Sequence, residues 1–504
     1  MRHSFIILIG IFLFFTSCFR DDLENIKVPV WNPDIAVPLI NSHFTMEDVI
    51  ADFKNDGNLI TDSTGLITLI INRDRVFSIP ANEFFKIPDQ NFSSTDTVQF
   101  IEFVFPNEEL IHTIGIKEGE LILHLTSNQA EAVHVNISIP KATINGVPLQ
   151  KAILLHTPTA ITDTIDLSDY ILNLTGDGDE ANVLEIRYDA QTVSDSLSTI
   201  LEEFSGNLEN LSFNYADGFF GVKNFEIDTD TISLQFLQNW VEGTIYINDP
   251  EIGITLNNDF GLPFFLELSN FQAENTVLSV PITGSVFTDS IMVNFPQDAL
   301  SDGPATTDIT VNSTNSNIEN VIAFSPQKIT YKLLLSINSS LGNTPLNFLH
   351  DTSKLIADVR LKLPFQGRIE DLVLQDTFDL DIATIKELTH ANFKLSVSNT
   401  FPVEAQIQVF FADTDIQPID SLLTTPENII ASGITNANGE VMMPTTKTTY
   451  IEFEKKKLEN LFSARKLIVR ARLSAGSAQQ PSIKLLSSYR IDMHLGVIAG
   501  VKRP

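Results

Sequence analysis

The sequence contains a single cysteine, Cys18, among its 504 residues. One cysteine excludes an intramolecular disulfide, so stability must come from packed cores. Polar aromatic residues are also scarce, because 2 tryptophans and 7 tyrosines stand beside 36 phenylalanines. Phenylalanine is mainly a core residue, whereas recognition surfaces favour aromatic rings that carry a polar group. This ratio argues against a glycan-binding surface.

Cations are few. The chain has 32 Lys and Arg against 64 Asp and Glu, a formal net charge of −32. Such a charge repels phosphate backbones, so we expect no nucleic-acid partner. From Lys447 onward, however, basic residues outnumber acidic ones. Two interpretations of this segment remain open: a basic patch that meets lipopolysaccharide phosphates or an acidic partner, and an ordinary solvated face.

Cys18 ends an N-terminal apolar stretch. Arg2 precedes the apolar residues 6–15, and the small residues Thr16 and Ser17 follow them. This order is typical of a secretory signal. With a cysteine directly after the small residues, the segment resembles a bacterial lipoprotein signal. The resemblance implies that residues 1–17 are removed and that Cys18 carries a covalent lipid, with no other cofactor. A signal that contains a chance cysteine and a short membrane anchor remain alternatives, although a spanning helix needs ~20 apolar residues.

A short charged cluster follows the cysteine. Arg20, Asp21 and Asp22 resemble the export tag of Bacteroidota-type surface lipoproteins. The resemblance implies an outer-membrane location, lipid-anchored, with the cell surface favoured over the periplasmic face. A solvated charged tether is the alternative. We assign residues 18–44 to a lipidated tether and extended leader.

Alternating apolar and polar residues dominate the rest of the chain, with turn signals every 8–12 residues. This pattern predicts an all-β fold of tandem Ig-like antiparallel β-sandwich domains with a few short helices. We place the domains at 45–189, 190–340 and 341–504. Short helices are predicted from residue 45, over 196–204 and over 455–461. The Asn145–Gly146 pair predicts a hairpin turn, and residues 436–439 predict another hairpin tip.

Three segments share one pattern: an alternating strand, an Asn, a corner, and a second alternating strand. They span residues 116–139, 252–268 and 391–412, and the last two carry Phe and Pro in the corner. We expect the Asn amide to close the corner and Pro to stop the strand ladder. The unit resembles the water-stress (LEA type 2) domains, which implies Ig-like seven-stranded sandwiches without catalytic residues. A sandwich corner of independent origin is the alternative.

Motifs for catalysis or metal binding are weak. His124 and His134 lack a third ligand nearby in sequence, so no metal site is predicted there. Asp177 and Asp179 lie in a Gly-rich turn and are weak Ca²⁺ candidates, with an ordinary acidic turn as the alternative. Two S-x-x-K matches lack the companion motifs of acyl-serine enzymes. The sequence therefore predicts a protein that is not an enzyme.

Six tripeptides have the form Asp, then Ser or Thr, then an apolar residue. They resemble the O-glycosylation sequon of exported Bacteroidota-type proteins, although the same tripeptides also begin many strands. The candidate acceptors are Thr97, Thr164, Ser196, Thr231, Ser290 and Ser421.

Together these features predict a non-enzymatic outer-membrane lipoprotein that acts as a structural or interaction subunit of a cell-envelope assembly, with an envelope protein as partner. One alternative is a lipoprotein that binds a lipid or another apolar ligand in a Phe-lined groove. A further alternative is a surface glycan-binding lipoprotein with Trp31 or Trp240 on its platform.

Overall fold

The structure is a computed structural model that describes residues 34–45, 58–156, 159–176, 181–194, 196–234, 240–299, 303–337, 347–380, 388–475 and 482–501. Every strand pair in these residues is antiparallel. The α-helices of these residues are 4, 5 and 9 residues long. The predicted all-β sandwich class with a few short helices is confirmed.

The N-terminal strands join two sheets that lie far along the chain. They are β1 (Asp34–Thr45), β2 (Asn58–Thr61) and β3 (Ile67–Pro80), followed by the single-turn helix α1 (Ala81–Phe84).

A first sandwich follows α1. Its strands are β4 (Gln90–Ser94), β5 (Val98–Glu102), β6 (Leu110–Thr126), β7 (Val133–Ile144), β8 (Val147–Leu155), β9 (Ile161–Asp166), β10 (Ile171–Asn173), β11 (Val183–Thr192), β12 (Ser198–Thr199) and β13 (Glu203–Phe219).

Two layers make up this first sandwich. One has the order β4-β13-β6-β9, the other has the order β5-β11-β7-β8, and β10 pairs with both β6 and β7. The rings of Tyr188 on β11 and Phe204 on β13 meet at a centroid distance of 4.8 Å, so the inner faces of the layers are in contact. Asn145 and Gly146 connect β7 to β8 with φ of 51° and 78°, as a type I′ hairpin turn requires. That predicted turn is confirmed.

The middle of the chain supplies most of a central sandwich. The elements in this part of the chain are β14 (Lys223–Glu226), β15 (Asp230–Ser233), β16 (Trp240–Ile247), β17 (Glu251–Asn258), β18 (Phe264–Glu274), β19 (Ser279–Pro281), a 3₁₀ turn (Ser285–Phe287), β20 (Ile291–Met292), β21 (Ala305–Val311), α2 (Ile318–Ile322), β22 (Lys328–Ile337), β23 (Asn347–His350) and β24 (Lys354–Pro364). Two of these strands pair elsewhere: β16 belongs to a sheet of the C-terminal sandwich, and β23 pairs with β13.

One central sheet has the order β2-β3-β24-β17-β21, and the other has the order β14-β22-β18-β19, with β15 and β20 attached. β3 runs along β24 from the Thr68–Pro364 pair to the Pro80–Lys354 pair. The first sandwich is therefore inserted between two strands of the central sandwich, and β23 pairs with β13 at the junction.

The remaining elements form a C-terminal sandwich. They are β25 (Gln366–Asp379), β26 (Leu388–Asn399), β27 (Glu404–Ala412), β28 (Pro418–Ser421), β29 (Glu427–Ile430), β30 (Ile434–Thr435), β31 (Val441–Met443), β32 (Thr445–Glu454), α3 (Lys455–Ser463), β33 (Lys466–Ala475), β34 (Ile483–Lys484) and β35 (Arg490–Val501).

Its two sheets have the orders β1-β35-β26-β32 and β16-β25-β33-β27-β28. Phe411 of one sheet and Phe453 of the other lie 6.0 Å apart in the core between them. β1 follows β35 along its full length, from Asp34 opposite Gly500 to Thr45 opposite Arg490. Residues 34–44 of the predicted leader thus lie in an edge strand of the last sandwich.

The predicted domain boundaries differ from these pairings. The 189/190 boundary falls inside β11, where Ala190 is buried. Strands from the N-terminal part complete both later sandwiches. The sandwiches therefore interleave along the chain and do not follow one another as 45–189, 190–340 and 341–504. The predicted boundaries missed this because local composition cannot reveal strand partners several hundred residues apart.

Of the three short helices predicted from the sequence, one is present, one is absent and one lies almost wholly outside the described residues. The predicted helix at 455–461 is confirmed as α3. The predicted helix at 196–204 is wrong, because residues 198–199 form β12 and Ser196 has a φ of 55°. The predicted helix from residue 45 differs at its first position, since Thr45 ends β1; residues 46–57 lie outside the described residues.

Candidate interaction surfaces

The second and third repeat segments occupy matching places in two sandwiches. The elements β17-β18-β19-β20-β21-α2-β22-β24 follow the same order as β26-β27-β28-β29-β32-α3-β33-β35. β17 lies between β24 and β21, as β26 lies between β35 and β32. The first segment is different: β6 and β7 do not pair with each other, and Asn128 is exposed between them.

A buried Asn closes the corner in both matching segments. The Phe260 N–H donates to Oδ1 of Asn258 at 2.9 Å, and Nδ2 of Asn258 donates to the carbonyls of Leu262 and Asn294. This side chain thus joins the corner itself to a second stretch of backbone at Asn294. Asn399 does the same at the second corner, and the corner prediction is confirmed at both sites.

Phenylalanine fills the core between the first and central sandwiches. The Phe84 ring of α1 lies 5.0 Å from Phe260 and 5.9 Å from Phe220, and all three side chains are buried. Phe85 on the same turn packs 5.4 Å from Phe213. These rings pack against one another, so the abundance of Phe is explained here without a ligand groove.

A buried ion pair joins the same two sandwiches. Nζ of Lys223 lies 3.0 Å from Oε1 of Glu109, and the Glu109 side chain is only 2% exposed. The Lys223 ammonium also donates to the Phe84 carbonyl at 2.7 Å and lies over the Phe84 ring. Backbone and side-chain N–H groups of Asn107 donate to the same carboxylate. Burial raises the pKa of Glu109, but these hydrogen bonds outweigh it and hold the pKa below its usual value.

An open groove of about 530 Å³ lies on the outer face of the first sandwich. Its walls come from β5, β7, β8 and β11, with Val98, Asn136, Gln150 and Arg187 among the lining residues. Arg187 is bonded to Glu185 beside it. The lining mixes polar and apolar side chains and holds no phenylalanine, so the groove does not resemble the Phe-lined site of the apolar-ligand alternative.

Exposed apolar side chains mark the tip of the first sandwich. Leu197 and Ile200 are each 62% exposed, and Val193 beside them is 46% exposed. They lie in the connection from β11 to β13, where the Glu202 N–H donates to the Thr126 carbonyl. This tip is the end of the first sandwich away from the β13–β23 junction.

At one end of the C-terminal sandwich, the start of β1 and the start of α3 lie at the same end of one sheet, three strands apart. Asp34 pairs with Gly500, Gly500 pairs with His390, and His390 pairs with Glu454, directly before α3. The first turn of α3 holds Lys455, Lys456 and Lys457, and Arg465 follows the helix. We call α3 together with residues 464–466 the α3 end.

Several predicted site residues lie outside the described residues: Cys18, Arg20, Asp21, Asp22, Asp177, Asp179 and Trp31. Trp240 is the first residue of β16. Among the acceptor candidates, Thr97, Thr164, Ser196 and Ser290 are exposed, whereas Thr231 and Ser421 are half-buried. The Ser421 hydroxyl donates to the Leu423 carbonyl at 2.8 Å.

The two histidines singled out in the sequence lie apart. His124 pairs with Thr162 of β9 and with Ser205 of β13, whereas His134 pairs with Leu154 of β8 and with Gln191 of β11. Across the part of the chain that the structure describes, no group of three His, Cys, Asp or Glu residues is placed to hold a metal ion. Within that same part, no helix has the length and apolarity to cross a membrane.

Comparison with known proteins assigns no family to this chain. No family model and no curated protein matches the sequence. One similar solved structure, described as "a putative secreted protein" from Parabacteroides distasonis, is 14% identical with a TM-score of 0.31 over 57% of this chain and 88% of that chain. The structure of infectious bursal disease virus Gx strain is 7% identical with a TM-score of 0.15, over 89% of this chain and 83% of that chain. These scores carry no argument about function.

Proposed function

We propose that this protein is a lipid-anchored lipoprotein of the outer membrane that acts without catalysis, as a structural or interaction subunit of a cell-envelope assembly. The observation that carries the proposal is Cys18, the only cysteine, placed directly after an apolar signal-like stretch. Several acyl chains on one residue anchor a protein far more firmly than one chain does. The cell surface is the favoured face, on the basis of Arg20, Asp21 and Asp22.

The interaction role is supported by the surfaces that the fold leaves open. β32 and β21 are edge strands of their sheets, and strand addition at an edge needs no catalytic group. The exposed apolar tip at Val193, Leu197 and Ile200 offers a second contact of the kind that protein partners bury. We assign the tip to an envelope protein partner.

Cross-linking in intact cells tests this role. The wild-type protein is expected to yield a defined cross-linked species with one envelope protein, and a Leu197→Ser, Ile200→Ser variant is expected to lose most of it. Val277→Ser is the matched control, because Val277 is 82% exposed on the central sandwich. Equal cross-linking in all three proteins, or no defined species in the wild type, would contradict the proposal.

A further inference from the structure

We propose that the α3 end of the C-terminal sandwich rests on a membrane surface of anionic lipid phosphates. The molecule then stands end-on, with the first sandwich furthest from the membrane. This inference rests on the proposed lipid anchor and adds an orientation and a lipid-facing surface to it.

The path of the chain provides the first argument. Cys18 precedes Asp34 by 16 positions, a length of chain that spans at most about 55 Å when fully extended. Asp34 lies at the α3 end, and β1 then runs 12 residues, about 40 Å, to the opposite end of the sandwich. The chain thus enters the fold at the end of the sandwich where α3 lies, and this end is the shortest connection to the lipid.

The central sandwich covers the opposite end. Ile67 of β3 packs with Phe401 and Tyr489 in a small apolar cluster, and its N–H donates to the Leu485 carbonyl. These contacts fix the C-terminal sandwich between the α3 end and the rest of the molecule. A tether that leaves from the α3 end therefore brings this end, and not the central sandwich, to the lipid.

Charge partition is an independent argument. Residues 1–364 carry 17 Lys and Arg against 48 Asp and Glu, whereas residues 365–504 carry 15 against 16. Almost the whole net charge of −32 thus belongs to the part that includes the first and central sandwiches. An anionic surface repels that part and tolerates the nearly neutral C-terminal part, so the field of the membrane favours the same orientation as the tether.

The lysines of α3 break a local rule of helix stability. A helix N-terminus disfavours cations, yet Lys455, Lys456 and Lys457 fill the first turn of α3, with Glu454 at the N-cap and no acidic residue in the turn itself. Lys457 is used within the fold, because its ammonium donates to the Leu422 carbonyl at 2.6 Å. Lys455 and Lys456 are exposed, as is Arg465. Arg465 also serves the fold, because its guanidinium donates to the Phe462, Ser463 and Ala464 carbonyls at the end of the helix. Nζ of Lys455 lies 4.0 Å from Oε1 of Glu459 in an exposed pair. A cation near an anionic lipid surface strengthens binding about fivefold, which would favour lysine at positions 455 and 456 despite the helix N-terminus.

Energy transfer to a lipid dye tests the orientation. Because Cys18 is consumed by lipid, a single introduced cysteine is the only labelling site. Acylated protein carries a donor at Ser463→Cys on the α3 end or at Asn128→Cys near the tip of the first sandwich; both positions are exposed. It is reconstituted into vesicles of phosphatidylcholine with or without phosphatidylglycerol. We expect several-fold greater transfer from position 463 than from position 128 on anionic vesicles.

A charge-reversed variant completes the test. Lys455→Glu with Lys456→Glu is expected to lower transfer from position 463 on anionic vesicles, whereas Lys86→Glu with Lys362→Glu, of equal charge change elsewhere, is not. Thermal unfolding checks that both variants fold. Equal transfer from the two positions on anionic vesicles, or transfer from position 463 that does not increase when phosphatidylglycerol is added, overturns the inference while the protein still floats with the vesicles. Protein that carries no acyl chain and does not float overturns the proposed anchor instead.

Discussion

Asn258 and Asn399 make the same hydrogen bonds in two different sandwiches. Each accepts the N–H of a phenylalanine two residues ahead, at 2.9 and 2.8 Å. Each also donates to the carbonyl four residues ahead, at 3.3 and 3.0 Å. Both side chains are fully buried. The amide accepts through Oδ1 and donates through both hydrogens of Nδ2, which matches a corner that presents one N–H and two or more carbonyls.

Replacement of Asn399 should therefore destabilise the protein. Asn399→Ala leaves the Phe401 N–H and the Val403 carbonyl without their partner, and each unpaired buried group costs about 1–3 kcal/mol. Asn399→Asp should cost more, because a carboxylate cannot donate and faces carbonyl oxygens. Urea unfolding gives the free energies. Asn392→Ala, at an exposed position of the same strand, should stay within ~0.5 kcal/mol of wild type. Equal stability of the Asn392 and Asn399 variants would show that the corner needs no amide.

The Glu109–Lys223 pair should be sensitive to the loss of one partner. Lys223→Met leaves a carboxylate buried without its cation, which costs about 3–5 kcal/mol. Lys332→Met removes an ion pair whose Glu226 partner is 75% exposed and should cost at most about 1 kcal/mol. Thermal or urea unfolding of both variants compares the pairs. A Lys223 variant as stable as the Lys332 variant would mean that the buried pair adds nothing to the junction.

The same carboxylate predicts a pH dependence. The pKa of Glu109 in the folded state lies below its ordinary value of 4.5, so the folded state binds fewer protons than the unfolded state in this range. Its contribution to stability is present above pH ~4.5 and is lost as the pH falls through the folded-state pKa. Glu109→Gln should flatten this part of the curve of unfolding free energy against pH. Curves with the same slope below pH ~4.5 in both proteins would contradict the assignment.

Exposure should decide which of the six candidate acceptors carry glycan. Peptide mapping of protein from the native host should find added mass at the exposed Thr97, Thr164, Ser196 and Ser290. Ser421 should be unmodified, since its hydroxyl is half-buried and bonded to the Leu423 carbonyl. Thr164→Ala should remove its own glycan alone. Modification of Ser421 to the same extent as the exposed sites, or of none of the six, would contradict the prediction.

The sequence predicted what local pattern determines. Strand alternation, the Asn145–Gly146 turn, α3 and the two Asn corners all follow from spacings of a few residues. The segment 196–204 was misjudged because Leu201 and Phe204 are buried at helical spacing, while Leu197 and Ile200 in the same register are exposed. A pattern of that length cannot separate a helix from a turn between two strands.

Local sequence patterns did not predict which distant strands pair with each other. β1 reaches β35 and β3 reaches β24 across most of the chain, and their apolar alternation would fit any sheet. The same limit applies to the candidate surfaces. The α3 end becomes visible only when Asp34, Gly500, His390 and Glu454 are found side by side. The buried Glu109–Lys223 pair likewise carries no mark in the sequence.

The most direct test of the central claim is mass analysis of the mature N-terminus from native membranes. We predict a chain that begins at Cys18, with acyl groups on its sulfur and amino group, and a Cys18→Ser variant that is neither acylated nor membrane-bound. A mature chain that begins elsewhere, or one in which Cys18 keeps a free thiol and the protein leaves the membrane fraction, would contradict the account.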